Sequence, residues 1–517
     1  MADMLTDLAS RLGDKPALIE DRPGGNLIRW SFAELAANAN RLANVFLENG
    51  VDPGDRVMWC GRNSHWPVAC GHAARKVGAI SVPLNYRLTA EEAAYVVHNS
   101  DAKVVLVDAE FAPLFAKIRP ETPNVAQVIV YDGAAEPGQL DAAPLLAGAG
   151  AGPVEVGADP SAAGTMIYTS GTTGKPKGAV RAGGAGDPAL LEAMMKLYRW
   201  RPDDVYLTTG PLYHSGPGGF LALAHLLGNT AVVQRRFDAE DWLRLLDTYE
   251  VTCTFSAPTP IRRICQLPDD VIGRYRRDRL RIMIANAAPW SYALKLAYLE
   301  RFPEESLFEV YGSTELGVNT IMTPEFQRSK PGSCGRPAPG VEIRLFRDDG
   351  SMVEAVREPG ELYVRTEGQF TTYHKAHDKF MEDRRDDWHT VGDVAYFDED
   401  GFYYICDRKK DMIISGGVNI YPAEVEHALE LHPDILEAAV FGIPSEEWGE
   451  SVHAVVVGRE GAGVDTAAVQ SFARDHLAGY KIPRSVTFTG EIPKTGSGKI
   501  LKRELRAPFW EGQGASL

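Results

Sequence analysis

Several features that would assign this chain to a particular class of protein are scarce in its sequence. Its 517 residues include six cysteines, and none forms a Cys-x-x-Cys pair or another spacing typical of a metal site. We therefore expect buried, reduced thiols rather than a disulfide framework. Basic residues are outnumbered, with 54 Lys and Arg against 70 Asp and Glu and a net charge of −16. This balance argues against a nucleic-acid binder, because such a protein needs a basic face.

Targeting and membrane-spanning signals are missing as well. No apolar run approaches the length of about 18 residues that a transmembrane helix needs. Asp3 and Asp7 stand where a signal peptide would carry positive charge. Hydrophobic residues make up 44% of the chain and charged residues 24%, which is typical of a globular protein. The sequence predicts a cytoplasmic protein of more than one domain without an integral membrane segment.

The densest chemical signal is the run Tyr-Thr-Ser-Gly-Thr-Thr-Gly-Lys-Pro-Lys-Gly at 168–178. Its glycines allow tight turns that direct backbone N–H groups towards an anion, and its hydroxyls and lysines add donors and charge. The apolar residues before it predict a strand leading into a phosphate-binding loop. Pro176 excludes a Walker A motif, which has Ser or Thr after its lysine. The expected phosphate contacts are Thr169, Ser170, Gly171, Thr172, Thr173, Gly174 and Lys175.

Helix and strand patterns alternate along most of the chain. A capping box at Ser31-Phe-Ala-Glu34 predicts the start of a helix that ends near Gly50, and Thr89 predicts the start of another over 90–99. Apolar runs at 56–60, among others, predict strands between such helices. This alternation predicts an α/β fold with mostly parallel sheets.

The pattern changes in the last third of the chain. Short β segments are expected from Val341 onwards, and a compact mixture of helices and strands follows Asp407. Residues 132–164, rich in Ala, Gly and Pro, predict a surface connection into the phosphate loop. We therefore expect a large N-terminal domain over 1–409 and a small α+β C-terminal domain over 410–517.

Five further motifs follow the phosphate loop. They are Tyr311-Gly-Ser-Thr-Glu315, Thr390-Val-Gly-Asp393, Asp407-Arg-Lys-Lys-Asp411, Ser415-Gly-Gly-Val-Asn-Ile-Tyr-Pro-Ala-Glu-Val-Glu426 and Pro493-Lys-Thr-Gly-Ser-Gly-Lys499. Taken singly, each has an ordinary interpretation as a core aromatic, a turn or a solvated run of charges. Together with the loop, in this order and spacing, they resemble the adenylate-forming acyl-CoA synthetase superfamily over essentially the whole chain.

The resemblance implies how these motifs contact ATP and CoA. The tyrosine of the first motif would stack on adenine, while the aspartate of the second and the arginine of the third would hold the ribose. The third motif would also contain the hinge of a mobile C-terminal domain, and the glycine pair of the fourth would line the path of CoA. The contacts implied outside the phosphate loop are Tyr311, Asp393, Arg408, Lys410, Gly416 and Gly417.

The resemblance also implies the catalytic residues. Lys499 would bridge the substrate carboxylate and the α-phosphate, which Thr314 would also contact. Glu315 and Thr169 would bind Mg²⁺. His214, at the end of a Pro-Leu-Tyr-His stretch, completes the set. The stretch Glu-Gly-Gln-Phe-Thr-Thr-Tyr-His-Lys-Ala at 367–376 has no interpretation from the sequence.

The implied reaction has two steps. A carboxylic acid and ATP form an acyl-adenylate and pyrophosphate, with Mg²⁺ as cofactor, and the acyl group then passes to the thiol of CoA. Residues 215–224 and 316–322 would wall the acyl pocket, and they offer no acid or base that could pair with an amino-acid substrate. Glycines in these stretches suggest room for a medium- or long-chain fatty acid or another bulky apolar acid. These glycines are Gly216, Gly218, Gly219 and Gly317.

Other functions remain open at this point. An aryl-acid CoA ligase is one alternative, because a flat ring also fits an apolar slot and Asn319 could meet a ring hydroxyl. An adenylation enzyme that loads a carrier protein, a luciferase-like oxygenase and a nucleotide-binding regulator are others. The seven arginines of 262–281 predict a solvated face, with CoA phosphates or an anionic membrane surface as alternative partners. A homodimer is compatible with a chain of this size.

Overall fold

The structure, a computed structural model, describes residues 3–154, 162–169, 175–183, 187–288, 290–459, 461–495 and 499–511. Its helices are α1 Met4–Leu12, α2 Phe32–Glu48, α3 His65–Lys76, α4 Ala90–Asn99, α5 Ala112–Ile118, α6 Ala142–Gly148, α7 Pro188–Tyr198, α8 Ser215–Leu226, α9 Ala239–Thr248, α10 Pro258–Cys265, α11 Asp269–Ile272, α12 Tyr292–Leu299, α13 His377–Glu382, α14 Pro422–Glu430, α15 Thr466–His476 and α16 Lys502–Trp510.

The strands number 27 within the described residues. They are β1 Pro16–Arg22, β2 Asn26–Ser31, β3 Arg56–Cys60, β4 Ile80–Leu84, β5 Ala102–Asp108, β6 Gln127–Tyr131, β7 Leu140–Asp141, β8 Gly164–Thr169, β9 Lys177–Ala182, β10 Val205–Thr208, β11 Thr230–Val232, β12 Cys253–Ser256, β13 Ile282–Ala285, β14 Leu307–Ser313, β15 Gly317–Met322, β16 Arg336–Pro337, β17 Glu342–Phe346, β18 Gly360–Arg365, β19 Thr372–Tyr373, β20 Arg384–Arg385, β21 Trp388–Phe397, β22 Tyr403–Arg408, β23 Ile413–Ser415, β24 Val418–Ile420, β25 Ile435–Ser445, β26 Gly449–Gly458 and β27 Ser485–Phe488.

Two large sheets form the first part of the chain. The eight-stranded sheet has the order β19-β9-β8-β4-β3-β5-β6-β7, and the nine-stranded sheet has the order β16-β15-β14-β13-β12-β10-β11-β1-β2. Both are parallel in their centres, and antiparallel strands lie at one end of the first sheet, with β9 beside β8, and at both ends of the second, as with β15 beside β14. The predicted α/β fold with mostly parallel sheets is confirmed.

Local sequence signals account for helix α2. The Ser31 hydroxyl accepts a hydrogen bond from the Glu34 N–H, and the Glu34 carboxylate accepts one from the Ser31 N–H, so the predicted capping box is present. The apolar face, which includes Leu35, Leu42 and Phe46, is buried in a core that also takes side chains from both large sheets. The amphipathic pattern of this helix therefore helps to join the two sheets.

The last third of the chain forms two smaller sheets. The first has the order β17-β18-β21-β20, with β22 beside β21, and the second has the order β24-β23-β26-β25, with β27 beside β26. Helices α14 and α15 pack on the second sheet around Val425, Leu429 and Val469. The chain leaves β22 at Arg408 and enters β23 at Ile413. The predicted domain boundary near Lys410 falls in the turn between these strands.

The connection over 132–164 contains more structure than its composition predicted. Helix α6 lies within it and buries Ala142 and Leu146 against the core that contains α2. These two buried side chains supply the small apolar face of α6. Helix α8 was likewise not predicted from the sequence, because its first residues are rich in glycine. None of the described helices has the length and hydrophobicity needed to cross a bilayer.

Candidate active site

The phosphate loop connects β8 to β9, which pair as an antiparallel hairpin with Thr169 opposite Lys177. Ser170, Gly171, Thr172, Thr173 and Gly174 lie outside the described residues. At one end of the loop the Thr169 hydroxyl donates a hydrogen bond to Glu315 Oε1 at 3.0 Å. At the other, the Lys175 ammonium lies 5.1 Å from the centre of the Tyr95 ring. The β8–β9 hairpin thus brings Thr169, at the start of the loop, against the motif at 311–315.

The motif Tyr311-Gly-Ser-Thr-Glu315 lies where β14 turns into β15. Tyr311 donates a hydrogen bond from its hydroxyl to Asp393 Oδ2 at 2.6 Å, and burial beside this carboxylate raises the pKa of the phenol. A Cβ at Gly312 would lie 2.0 Å from the Gly317 carbonyl oxygen, so only glycine fits the tight hairpin. Backbone geometry therefore fixes the turn that carries Thr314 and Glu315.

Asp393 and Arg408 are neighbours because β21 and β22 pair in a register that places them opposite each other. Arg408 Nε lies 3.3 Å from Asp393 Oδ1. Burial raises the pKa of Asp393, while the charge of Arg408 and the Tyr311 hydroxyl act in the opposite direction. Three of the predicted nucleotide contacts thus meet in one cluster, with a carboxylate that could accept two ribose hydroxyls.

The Glu315 carboxylate is held by a residue that the sequence did not single out. The Tyr373 hydroxyl donates a hydrogen bond to Glu315 Oε1 at 3.1 Å, and the Thr169 hydroxyl donates one to the same oxygen. Tyr373 belongs to the stretch without an interpretation, which adds β19 to the edge of the sheet next to β9. The backbone N–H of Phe370 also donates to the Glu315 carbonyl oxygen at 2.7 Å. The stretch therefore positions Glu315, and no local pattern in the sequence signals this.

The start of α8 meets the same hairpin from the other side. The hydroxyls of Ser215 and Thr314 lie 2.9 Å apart. Burial, together with the charges of Lys499 and Arg87, lowers the pKa of the adjacent His214 to about 4. The His214 imidazole is therefore neutral at pH 7. Its Nε2 is buried without a hydrogen-bond partner among the described residues.

Lys499 lies within the same group of charges. Its pKa is lowered first by removal from water and next by the charge of Arg408, while Glu315 and Asp393 act to raise it. A β-bridge between Lys494 and Ile500 joins the two described ends of the motif. The structure thus brings the C-terminal lysine to the carboxylates of two motifs from the N-terminal part of the chain.

The glycine pair and the hinge lysine are placed differently. Gly416 and Gly417 have φ values of 58° and 79° in the turn between β23 and β24. A Cβ at Gly416 would lie 2.8 Å from the Trp448 ring, so its described packing lies within the C-terminal part of the chain. Lys410 lies at the turn after β22, and its pKa is lowered first by partial removal from water, whereas the charge of Asp411 raises it.

Two of the four glycines expected to leave room in the acyl pocket do not do so. A Cβ at Gly216 would lie 2.4 Å from the Phe255 ring, and one at Gly218 would lie 2.7 Å from the Leu212 carbonyl oxygen. Gly219 has nothing within 4 Å of a built Cβ. The expectation is therefore wrong for Gly216 and Gly218, where glycine is required by close packing rather than by a large ligand.

Asn319 is a buried amide without a partner. It is 0% exposed, and neither Oδ1 nor Nδ2 has a hydrogen-bond partner among the described residues. The Ala338 N–H donates a hydrogen bond to the Asn319 backbone carbonyl oxygen, and Ile321, two residues further along β15, pairs with Val310 on β14. All three of these neighbours belong to the core that contains α8. A free amide in such surroundings is costly unless a ligand or water satisfies it.

Comparison with known proteins identifies the family. The AMP-binding enzyme family matches residues 5–374, and the AMP-binding enzyme C-terminal domain matches residues 424–499. The chain belongs to the AMP-binding enzyme family. This agrees with the resemblance to adenylate-forming acyl-CoA synthetases carried by the six motifs.

Individual members of the AMP-binding family align over nearly the whole chain. The fatty acid–[acyl-carrier-protein] ligase ScoC of Streptomyces coeruleorubidus is 33% identical over 93% of this chain and 92% of its own length. The feruloyl-CoA synthase of an Amycolatopsis species is 34% identical over 94% and 95%. The crystal structure of the anthranilate CoA ligase AuaEII with anthranoyl-AMP superposes with a TM-score of 0.88, at 26% identity and 98% and 96% coverage.

This AMP-binding enzyme is accordingly an AMP-forming acid–thiol ligase that acts on acyl or aryl acids. Its family implies ATP and CoA as co-substrates. Relatives act on fatty acids in some cases and on aryl acids in others, so membership alone does not select the acid.

Packing at the start of α8 yields a stability prediction. Gly216→Ala should lower the free energy of unfolding by about 1–3 kcal/mol, because the new methyl group must displace the buried Phe255 ring. Gly219→Ala, three residues along the same helix, should be neutral or stabilising, because the site is open and alanine favours helix. Denaturant titrations of both variants measure the difference. Equal stability of the two would contradict the close packing of Gly216.

Proposed function

We propose that this enzyme joins a carboxylic acid to CoA in two half-reactions at the cluster around Lys499. In the first, a carboxylate oxygen attacks the α-phosphorus of ATP and pyrophosphate leaves. In the second, the CoA sulfur attacks the acyl carbonyl, the thiol loses its proton and AMP leaves. The observation that carries the proposal is the convergence of Lys499, Glu315, Asp393 and Arg408 in one group of charges.

Positive charge is the main requirement of the first half-reaction, because negative charge accumulates between the α-phosphate and the leaving pyrophosphate. Lys499 would contact both the carboxylate and the α-phosphate. Thr314 would donate its hydroxyl to the same phosphate, held towards it by Ser215. Asp393 would orient the nucleotide through the ribose, with Tyr311 beside adenine.

The second half-reaction needs space for a thiol at the carbonyl. A lysine between the carboxylate and the α-phosphate would stand in the way of this thiol, so we propose that the part of the chain after residue 409 rotates about Lys410. This motion would withdraw Lys499 and bring Gly416 and Gly417 towards the pantetheine arm. Such hinges consist of a few residues that absorb a large change in φ and ψ.

Lys499→Ala tests this assignment. Acyl-adenylate formation, followed as pyrophosphate release without CoA, should fall roughly a hundredfold to a thousandfold, or about 2.7–4 kcal/mol, because the contact acts on transition-state charge. Thioester formation from synthetic acyl-adenylate and CoA should be spared. An equal loss in both half-reactions would contradict the alternation of the two parts of the chain.

The same assays separate the competing thiol acceptors. CoA-dependent thioester formation supports the CoA ligase. Transfer to a phosphopantetheinyl carrier protein alone would favour the second candidate function, a ligase that loads a carrier protein, which is the activity for which ScoC is named. Pyrophosphate release without transfer to either acceptor would favour an adenylating enzyme of another kind.

Mg²⁺ fits the Glu315 site. Such ions are commonly bound by one or two carboxylates together with substrate phosphates, and no group of three or more His, Cys, Asp and Glu capable of binding a metal occurs in the described part of the chain. Thr169 and Tyr373 both hydrogen-bond to Glu315 Oε1, which leaves Oε2 to face a cation. When bound, the ion would neutralise phosphate charge; Tyr373 would keep its carboxylate ligand oriented.

Tyr373→Phe should therefore weaken Mg²⁺ binding roughly tenfold, the size expected when a hydrogen-bond partner of a metal ligand is lost. Calorimetric titration of Mg²⁺ into the enzyme with a non-hydrolysable ATP analogue measures the affinity directly. Tyr292→Phe is the matched control, since its hydroxyl contacts only the Arg328 carbonyl oxygen among the described residues. Unchanged Mg²⁺ affinity in Tyr373→Phe would contradict the positioning role.

For the acid, we propose an aryl acid with a polar ring substituent. The expectation of a medium- or long-chain fatty acid rested on open space beside four glycines. Phe255 and Leu212 occupy the space beside two of them, Gly216 and Gly218. The unsatisfied amide of Asn319 supports a substrate that carries a hydrogen-bonding group into an otherwise apolar region. The feruloyl-CoA synthase among the relatives is named for an acid of this kind.

Asn319→Leu tests the acid class. The ratio of kcat/KM for 4-coumarate to that for cinnamate should fall roughly tenfold, because leucine cannot bond to the ring hydroxyl. Stability should not decrease, since an unsatisfied amide is replaced by an apolar group of similar size. An unchanged ratio would contradict the assignment, and a preference for palmitate or octanoate over all aryl acids in the parent enzyme would favour the fatty-acid ligase.

A further inference from the structure

The arginine-rich segment over 262–281 divides into two groups. Most of its arginines pair within the N-terminal part of the chain: Arg276 Nε lies 2.7 Å from Asp247, and Arg281 pairs with Asp204. Arg263 lies over the Phe237 ring, with its guanidinium carbon 5.2 Å from the ring centre. These contacts agree with the predicted charged face. Arg262 differs, because its partner comes from the other part of the chain.

Arg262 lies on α10, and its Nη1 is 3.5 Å from Oε1 of Glu437 on β25. The side chains are 21% and 11% exposed, so water screens the pair only in part. Among the described residues, two ion pairs connect the chain before residue 410 to the chain after it. The other joins Lys502 to Asp407, next to the turn that we propose as the hinge.

Glu437 also connects Arg262 to the catalytic motif. Its second oxygen, Oε2, accepts a hydrogen bond from Lys494 Nζ at 2.7 Å. Lys494 in turn forms the β-bridge with Ile500 that holds the turn carrying Lys499. A continuous series of contacts therefore runs from α10 of the N-terminal part to the motif that brings Lys499 into the site.

The surroundings of Glu437 make a cation from α10 favourable. Glu430 and Glu426 on α14 are close enough to interact electrostatically, and Arg262 opposes their negative charge. Burial, together with the charges of Glu426 and Glu437, raises the pKa of Glu430 to about 7, while the charge of Arg262 acts to lower it. Lys502 neutralises Glu426 at 2.9 Å, and Lys494 neutralises Glu437. Arg262 is the arginine of 262–281 that contributes to this balance.

We propose that Arg262 is a latch that stabilises the arrangement in which Lys499 occupies the active site. This proposal rests on the two-step function proposed above, because only a second arrangement gives the latch something to oppose. The contact belongs to the described orientation of the two parts of the chain, and rotation about the hinge separates Arg262 from Glu437. Lys494 would remain with Glu437, since both lie after the hinge.

The test uses full-length Arg262→Glu, which places a further negative charge beside Glu437. The pyrophosphate-releasing half-reaction should slow by roughly tenfold or more relative to transfer from acyl-adenylate to CoA, because an attraction becomes a repulsion. The assays use 4-coumarate and synthetic coumaroyl-adenylate. Arg276→Glu is the matched control, since it makes the same charge change in the same segment but removes only a contact to Asp247.

A second measurement does not depend on catalysis. Spin labels at Asp278→Cys and Asp475→Cys, both exposed, report the distance between the two parts of the chain in the presence of ATP. Arg262→Glu should shift the population away from the described orientation at least fivefold. Arg262→Lys keeps the positive charge and should therefore retain most of the population in the described orientation. The Arg276→Glu control should match the parent.

The two readouts distinguish failure of the latch from failure of the function. If Arg262→Glu and Arg276→Glu give the same distance distribution, the latch is refuted whatever the enzyme catalyses. If the distribution shifts only in Arg262→Glu while the parent forms no acyl-adenylate with any acid, the contact controls the orientation and the proposed reaction is wrong. A shift together with selective loss of adenylation supports both.

Discussion

The structure depends on the burial of opposite charges where the two parts of the chain meet. Lys499 and Arg408 lie in one group of charges with Asp393 and Glu315, and removal from water, followed by the charge of Arg408, lowers the pKa of Lys499. An ammonium held in this way gains from any anion that enters the site. In the proposed reaction, ATP phosphates and a carboxylate would supply such anions, so the substrates of the first half-reaction would themselves favour the arrangement that catalyses it.

The contacts that hold the two carboxylates of this cluster come from the chain before the proposed hinge. The Glu315 carboxylate is held from two strands of the edge of the eight-stranded sheet, by Thr169 and Tyr373. Asp393 is held by its neighbour across the β21–β22 pair. Each of these partners precedes residue 410. In the rotation proposed above, these contacts would stay fixed while Lys499 moved with the part of the chain after residue 409.

Features that depend on residues close together in the sequence could be predicted, whereas those that depend on contacts between distant residues could not. The capping box at Ser31 and the strand ending at Thr169 are local, and both are where the sequence predicts them. Tyr373 could not be recognised, because its partner Glu315 is 58 residues away and nothing near Tyr373 signals the contact. Arg262 belonged to a run of similar arginines, and only packing against β25 distinguishes it from Arg276.

Glycine shows why the acid is harder to predict than the reaction. A glycine beside a ligand pocket and a glycine packed closely against a neighbouring ring or carbonyl group look identical in a sequence, yet they have opposite consequences for pocket volume. Gly216 and Gly218 are of the second kind, and Gly219 on the same helix faces open space. Phosphate chemistry imposes a fixed set of donors and so leaves a recognisable motif. An apolar acyl group imposes only a shape, which many combinations of side chains from separate elements can produce.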